Sequence, residues 1–155
     1  MPQAQLIAWL RADSLRWEAL AAVRSLNLPD GYIAAGFIRD FVWSNLHGYA
    51  ADVPDDVDVI WFDVANAKAE TDRELEAALR QMMPNLNWSV KNQARMHQRN
   101  GDAPYTSIAD AMSHWPETAT AIAVAQISET NYEIIAPFGL DDLMAMHLRP
   151  TPHFA

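Results

Sequence analysis

Between Ile33 and Phe62 the chain reads IAAGFIRDFVWSNLHGYAADVPDDVDVIWF, and its hydrophobic period changes twice within thirty residues. Ile33-Ala34-Ala35 is a short apolar run of strand type. Gly36 follows, a residue that permits a tight turn or a close backbone approach. Ile38, Phe41, Val42 and Leu46 then recur on the spacing of a core-facing helix, which predicts a helix from about Ile38 to His47 with Gly48 as its terminator. From Val57 to Phe62 the apolar residues stop alternating, as in a strand covered on both faces. A strand, a helix and a second strand in this order require a sheet with the helix packed on it.

The same stretch places chemistry at the junctions. In a strand, residues i and i+2 share a face, so Asp56 and Asp58 project together while Val57 and Val59 project the other way. Two carboxylates on one face repel, and a fold tolerates them mainly where a cation neutralises them. Mg²⁺ is commonly held by one or two carboxylates together with phosphate oxygens and water. The free N–H groups at the start of the preceding helix attract anions, and Arg39 in its first turn adds a donor fork suited to phosphate. Lys91 and Arg95 are further cations able to reach the same charge.

At these residues the chain resembles the polymerase-β-like nucleotidyltransferase superfamily, in which an apolar residue, a glycine and a small residue precede a helix and an Asp-apolar-Asp strand. The most similar form is that of the CCA-adding enzymes and bacterial poly(A) polymerases, Gly-Gly-x-Val-Arg-Asp-x-Leu-Leu-Gly followed by Asp-Ile-Asp. Ala35-Gly36-Phe37-Ile38-Arg39-Asp40-Phe41-Val42-Trp43 matches the first element, and Asp56-Val57-Asp58-Val59 the second. Trp88 to His97, Trp115 to Thr120 and Ala136 to Leu143 are similar to a family of short bacterial nucleotidyltransferase-like proteins. The resemblance implies an α+β nucleotidyltransferase fold with helices on a mixed sheet. It also implies transfer of a nucleoside monophosphate from a nucleoside triphosphate to an acceptor hydroxyl, dependent on Mg²⁺ or Mn²⁺. Asp56 and Asp58 would be the catalytic metal ligands, and Gly36, Phe37, Arg39, Asp40 and Lys91 the nucleotide-binding residues.

The chain departs from the pattern in three ways. Ala35-Gly36 keeps one glycine of the usual pair. The insertion from Tyr49 to Asp55 is longer than in the CCA-adding form. Where many members carry a third carboxylate, the strand expected from Leu86 to Val90 and its neighbourhood supply Ser89, Lys91 and Asn92. Glu117 or Glu133 would have to serve instead. Without either, the alternative is a catalytically degenerate nucleotide-binding or interaction module.

Composition narrows the partners. At 155 residues, half of them apolar and six of them Trp, the chain suits one nucleotidyltransferase-like domain, with helices over residues 1–30 and an irregular tail over 150–155. It has no cysteine, no apolar run long enough to span a membrane and no signal-peptide pattern at its start, so a cytoplasmic protein is expected. Acids outnumber bases 20 to 11, for a formal charge of −9, whereas proteins that grip nucleic acid usually present basic surfaces. Lys91, Arg95, His97 and Arg99 offer only a local basic patch, and no helical tRNA-holding domain follows the core. A small-molecule or protein acceptor is therefore expected rather than nucleic acid.

Elsewhere the spacing predicts helices over Gln3–Arg11 and Ser14–Leu26, with Ser14 as N-cap. Thr71-x-x-Glu74 reads as a capping box opening a helix that Pro84 ends. Ala119–Ile127 and Tyr132–Ala136 form a hairpin across a four-residue connection. A last helix spans Leu140–His147 with Asp141 and Asp142 as caps. Trp43, Trp61, Trp88 and Trp115 are core residues, with one of them free to stack a base at the site's mouth. The five His show no zinc-ligand spacing.

Overall fold

In a computed structural model, residues 2–50 and 52–154 are described; Ala51 of the insertion and Ala155 of the tail lie outside them. Helices α1 (Pro2–Ala12) and α2 (Ser14–Ser25) precede strand β1 (Tyr32–Ala34), which turns directly into α3 (Gly36–Leu46). Strand β2 (Val57–Trp61) follows, then α4 (Ala69–Met82), β3 (Trp88–Asn92), α5 (Met96–Asn100) and α6 (Ile108–Met112). The hairpin β4 (Ala123–Gln126) and β5 (Tyr132–Ile135) and a single turn of helix, α7 (Asp141–Met144), complete the order. The strands form one mixed sheet in the order β3-β2-β1-β4-β5, with only β2 and β3 parallel. No helix among the described residues is long and apolar enough to cross a membrane.

Alternation along the strands divides the two faces. Ile33, Val57, Val59, Trp61, Val90 and Val124 point to one side and pack beneath Leu6 and Leu10 of α1, Leu20 and Val23 of α2, and Phe37, Ile38, Phe41 and Val42 of α3. On the opposite side Tyr32, Ala34, Ile60 and Ala123 meet Ile108 and Met112 of α6. Asp58, paired with Ala34, stands on this second face.

Several element ends differ from the sequence reading, each for a local reason. Asp13 rather than Ser14 caps α2, its carboxylate accepting the Arg16 N–H at 3.0 Å. Helix α4 begins before Thr71, whose own N–H is already bonded to the Lys68 carbonyl at 3.2 Å, so the expected capping box does not form. The third strand begins at Trp88 rather than Leu86, and β4 at Ala123 because Thr118–Ala121 turn back on themselves. The last helix stops at Met144, since Met146 takes a left-handed φ of 57°. Asp141 and Asp142 do not cap it; Asp142 instead accepts the Thr118 hydroxyl at 2.6 Å and pairs with Arg149. The hairpin forms, but its connection is the five residues Ile127–Asn131 rather than four, with the Ile127 N–H donating to the Asn131 carbonyl at 2.8 Å.

A buried carboxylate ties α4 to the sheet. Asp72, 2 % exposed, accepts the Trp61 indole N–H at 2.7 Å, the Asn92 N–H at 2.9 Å and the Arg95 guanidinium at 2.9 Å. Arg95 is thereby committed to structure and does not face the Asp pair. Removing one partner of such a cluster leaves the others buried without partners, so Asp72→Ala should cost about 3–5 kcal/mol in chemical denaturation.

The β1–α3 turn is strained. Ala35 sits at φ 62°, ψ −131°, a region only glycine enters freely. Relief of roughly 1–3 kcal/mol of strain exceeds the roughly 0.4–1 kcal/mol lost to a more flexible unfolded chain. Ala35→Gly should therefore raise the denaturation midpoint, by about 1 kcal/mol in stability.

Candidate active site

The antiparallel register sets Asp58 opposite Ala34, one residue before the strained turn that opens α3. The Ala35 carbonyl takes the N–H groups of both Ile38 and Arg39 at 3.0 Å. Those of Gly36 and Phe37 remain as the anion-attracting end of an eleven-residue helix with no side-chain cap. Arg39 and Asp40 fold back over this end. Their side chains lie 3.8 and 3.7 Å from where a Cβ on Gly36 would stand. Arg39 Nε donates to Asp40 at 2.9 Å, and the guanidinium lies over the Trp43 ring at 5.5 Å.

Asp56 stands just before β2, exposed, and accepts the Asn87 side-chain N–H at 2.6 Å. Asp58 is more enclosed. Burial pushes its carboxyl above the usual range, the Lys91 ammonium pulls it back, and the neighbouring Asp56 charge raises it further. Lys91 reaches it because β3 runs parallel to β2, pairing Ser89 with Asp58 and Lys91 with Ile60 on the same face.

Two cavities meet at Asp58. One, of about 250 Å³, is lined by Gly36, Phe37, Arg39, Asp40, Asp56 and Asp58, with Arg16 at its back. The other, of about 460 Å³, is lined by Asp58, Lys91, Gln93, Arg99, Trp115 and Thr120 among others. The structure thus places Gly36, Phe37, Arg39, Asp40, Asp56 and Lys91 on the two cavities that share Asp58. Trp115, expected in the core, is half-buried at the larger cavity's wall, whereas Trp61 and Trp88 are buried.

Neither candidate for a third acid faces the pair. Glu133 shares the sheet face with Asp58 but lies on β5, three strand spacings away, roughly 14 Å. It sits instead by the Tyr32 phenol, whose ionisation burial and then the Glu133 charge oppose. Glu117 lines neither cavity; it bridges to Pro150, and its Oε2 is buried without a partner.

Arg16 escaped the sequence reading, and Arg99 entered it only as one cation of a patch. Arg16 is 4 % exposed, held by Asp13 and the Asp52 carbonyl at 3.1 and 2.8 Å, with its guanidinium 4.5 Å from the Phe41 ring centre. It lies twenty residues before the motif, and its only sequence signal was a cation within an apolar helix stripe. Arg99 belonged to the basic patch, with nothing in the spacing to aim it at Asp58.

Comparison with known proteins agrees with this fold. A solved structure described as revealing a CCA-adding enzyme head domain is 37% identical over 97% of this chain and 80% of its own, with a TM-score of 0.85. A CCA-adding enzyme in complex with CTP is 14% identical, with a TM-score of 0.59 over 96% of this chain and 36% of its own. An apo tRNA-processing enzyme is 20% identical, with a TM-score of 0.52 over 86% of this chain and 35% of its own; these two likenesses speak to fold alone. No curated protein matches. A family model described as nucleotidyltransferase matches residues 21–155, and the chain belongs to that nucleotidyltransferase family.

Proposed function

We propose that the protein binds a nucleoside triphosphate across the two cavities and transfers its nucleoside monophosphate to an acceptor hydroxyl, releasing pyrophosphate. The observation that carries this reading is Asp58, shared by a cavity at the N-terminus of α3 that also holds Arg16 and Arg39 and a larger one with an aromatic wall. The N–H groups of Gly36 and Phe37, with Arg39, hold the β and γ phosphates. Asp40 keeps Arg39 aimed at them. Trp115 offers its ring to the base, and Lys91 balances charge beside Asp58.

The donor set fits Mg²⁺ or Mn²⁺: the Asp56 and Asp58 carboxylates line the same cavity, and burial disfavours the charge of Asp58. Asp56 and Asp58 would hold the ion, which when bound would supply positive charge to offset that of the triphosphate.

Mg²⁺ with a nucleoside triphosphate should stabilise the protein, by roughly 2.7 kcal/mol at 100 times the dissociation constant. Asp56→Ala combined with Asp58→Ala should abolish that shift in a thermal melt. A screen of the four common triphosphates at millimolar concentration with no shift in any of them defeats the reading.

The pKa direction of Asp58 gives an independent check. A carboxyl raised on folding contributes stability that is complete below its unfolded value and lost as pH rises through its folded value. At neutral pH its charge therefore costs the ligand-free fold something. Asp58→Asn should leave the ligand-free protein at least as stable as wild type at pH 7, the difference shrinking as pH falls, while losing the nucleotide shift. A clear loss of stability at pH 7 without ligand would contradict it.

A second reading rests on the missing third acid: a module that binds nucleotide without turnover. Pyrophosphate release in the presence of candidate acceptors separates the two. The acceptor itself is proposed to be a small molecule or a protein, on the strength of the acid surplus. If so, tRNA and single-stranded RNA should bind no more tightly than roughly 10⁻⁴–10⁻⁶ M at physiological salt. Filter binding at nanomolar affinity would reverse this and align the acceptor with that of the tRNA-processing relatives.

A further inference from the structure

Three segments that are distant in sequence converge at the edge of the larger cavity. Asp102 follows α5, His114 follows α6, and His153 lies in the turn Pro152–Phe154. One ligand-capable atom from each lies within 4.8 Å of the other two. We propose that Asp102, His114 and His153 form a transition-metal site, filled by Zn²⁺, that is separate from the Asp56–Asp58 pair.

One of the three spacings suits a shared metal ion better than an ion pair. His153 Nε2 stands 3.5 Å from Asp102 Oδ1, beyond the roughly 2.7–2.9 Å of a charge-assisted hydrogen bond. Tetrahedral zinc with bonds near 2.0–2.2 Å spaces its ligand atoms by about 3.3–3.5 Å. The outer contacts point the same way. His114 Nδ1 lies 2.9 Å from the Asp110 carbonyl, which can only accept, so Nδ1 carries the proton and Nε2 keeps the free lone pair. This is the second contact that zinc-bound imidazoles usually have. Asp102 Oδ2 accepts the Tyr105 hydroxyl, itself held by Asn100 at 3.2 Å, which leaves Oδ1 for the ion. Two imidazoles and one carboxylate, with a fourth position for water, are a common zinc set.

The role is structural. Arg99 and Asn100 precede Asp102 across Gly101, Trp115 and Pro116 immediately follow His114, and all four line the larger cavity. An ion joining Asp102, His114 and His153 therefore fixes that wall and pins the C-terminal turn against it.

The test is a Zn²⁺ titration of the chelator-stripped full chain without nucleotide, followed by calorimetry and thermal melting, with Co²⁺ as a spectroscopic probe. One equivalent should bind, raise the melting temperature and give a tetrahedral Co²⁺ absorption. His153→Gln changes an exposed side chain and should weaken binding by at least tenfold. Tyr105→Phe, removing the donor behind Asp102, should weaken it by roughly 10–100-fold. Asp56→Ala with Asp58→Ala should bind Zn²⁺ as wild type does. Binding that is unchanged in His153→Gln, that disappears with the Asp pair, or that falls short of one equivalent overturns the proposal.

Discussion

The pairing of β1 with β2, which sets Ala34 opposite Asp58, is the constraint on which the rest of the site depends. A strand's side chains alternate, so a slip of one residue would turn Asp58 into the layer of Val57, Val59 and Trp61 and bring those apolar groups into the cleft. The hydrophobic cost of that exchange locks the register. The register in turn brings the carboxylate to the mouth of the turn at Ala35, where α3 presents its free N–H groups. The geometry of the candidate site and the packing of the core are thus two sides of one pleat.

The surroundings carry costs that the core offsets. Ala35 holds a strained backbone, and Asp58 keeps a carboxylate where burial disfavours its charge. Such features persist where neighbouring structure over-determines them. Here that structure is the fully buried layer of α1, α2 and α3 side chains against Ile33, Val59 and Val124. At the other end of β2, the Asp72 cluster does for α4 and β3 what the register does for the turn. It joins Trp61, Asn92 and Arg95 through one buried carboxylate and so sets the segment that carries Gln93 and Met96 into the larger cavity. Lys91 and Arg95, equal candidates by charge, are separated by this arrangement: one faces the cleft, the other serves the core.

The sequence alone determined the strand–turn–helix–strand unit, the shared face of Asp56 and Asp58, the helix end beside them and the α+β class. All of these follow from local periodicity and from motifs spanning thirty residues, where the chain's own geometry fixes neighbours. Ends of elements were less well marked. Thr71 and Ser14 carry capping side chains, but Lys68 and Asp13 take the positions because backbone bonds made earlier in the chain pre-empt them. Which distant residues meet was settled by the packing of the whole chain. It brought Arg16 from α2 and Trp115 from beyond α6 to the cleft, and kept Glu133 on the far strand β5. It also assembled Asp102, His114 and His153 although the histidines have no ligand spacing along the chain. The physical reason is that strand order and helix packing are settled by burying apolar area over the whole molecule, and no local pattern of residues encodes that sum.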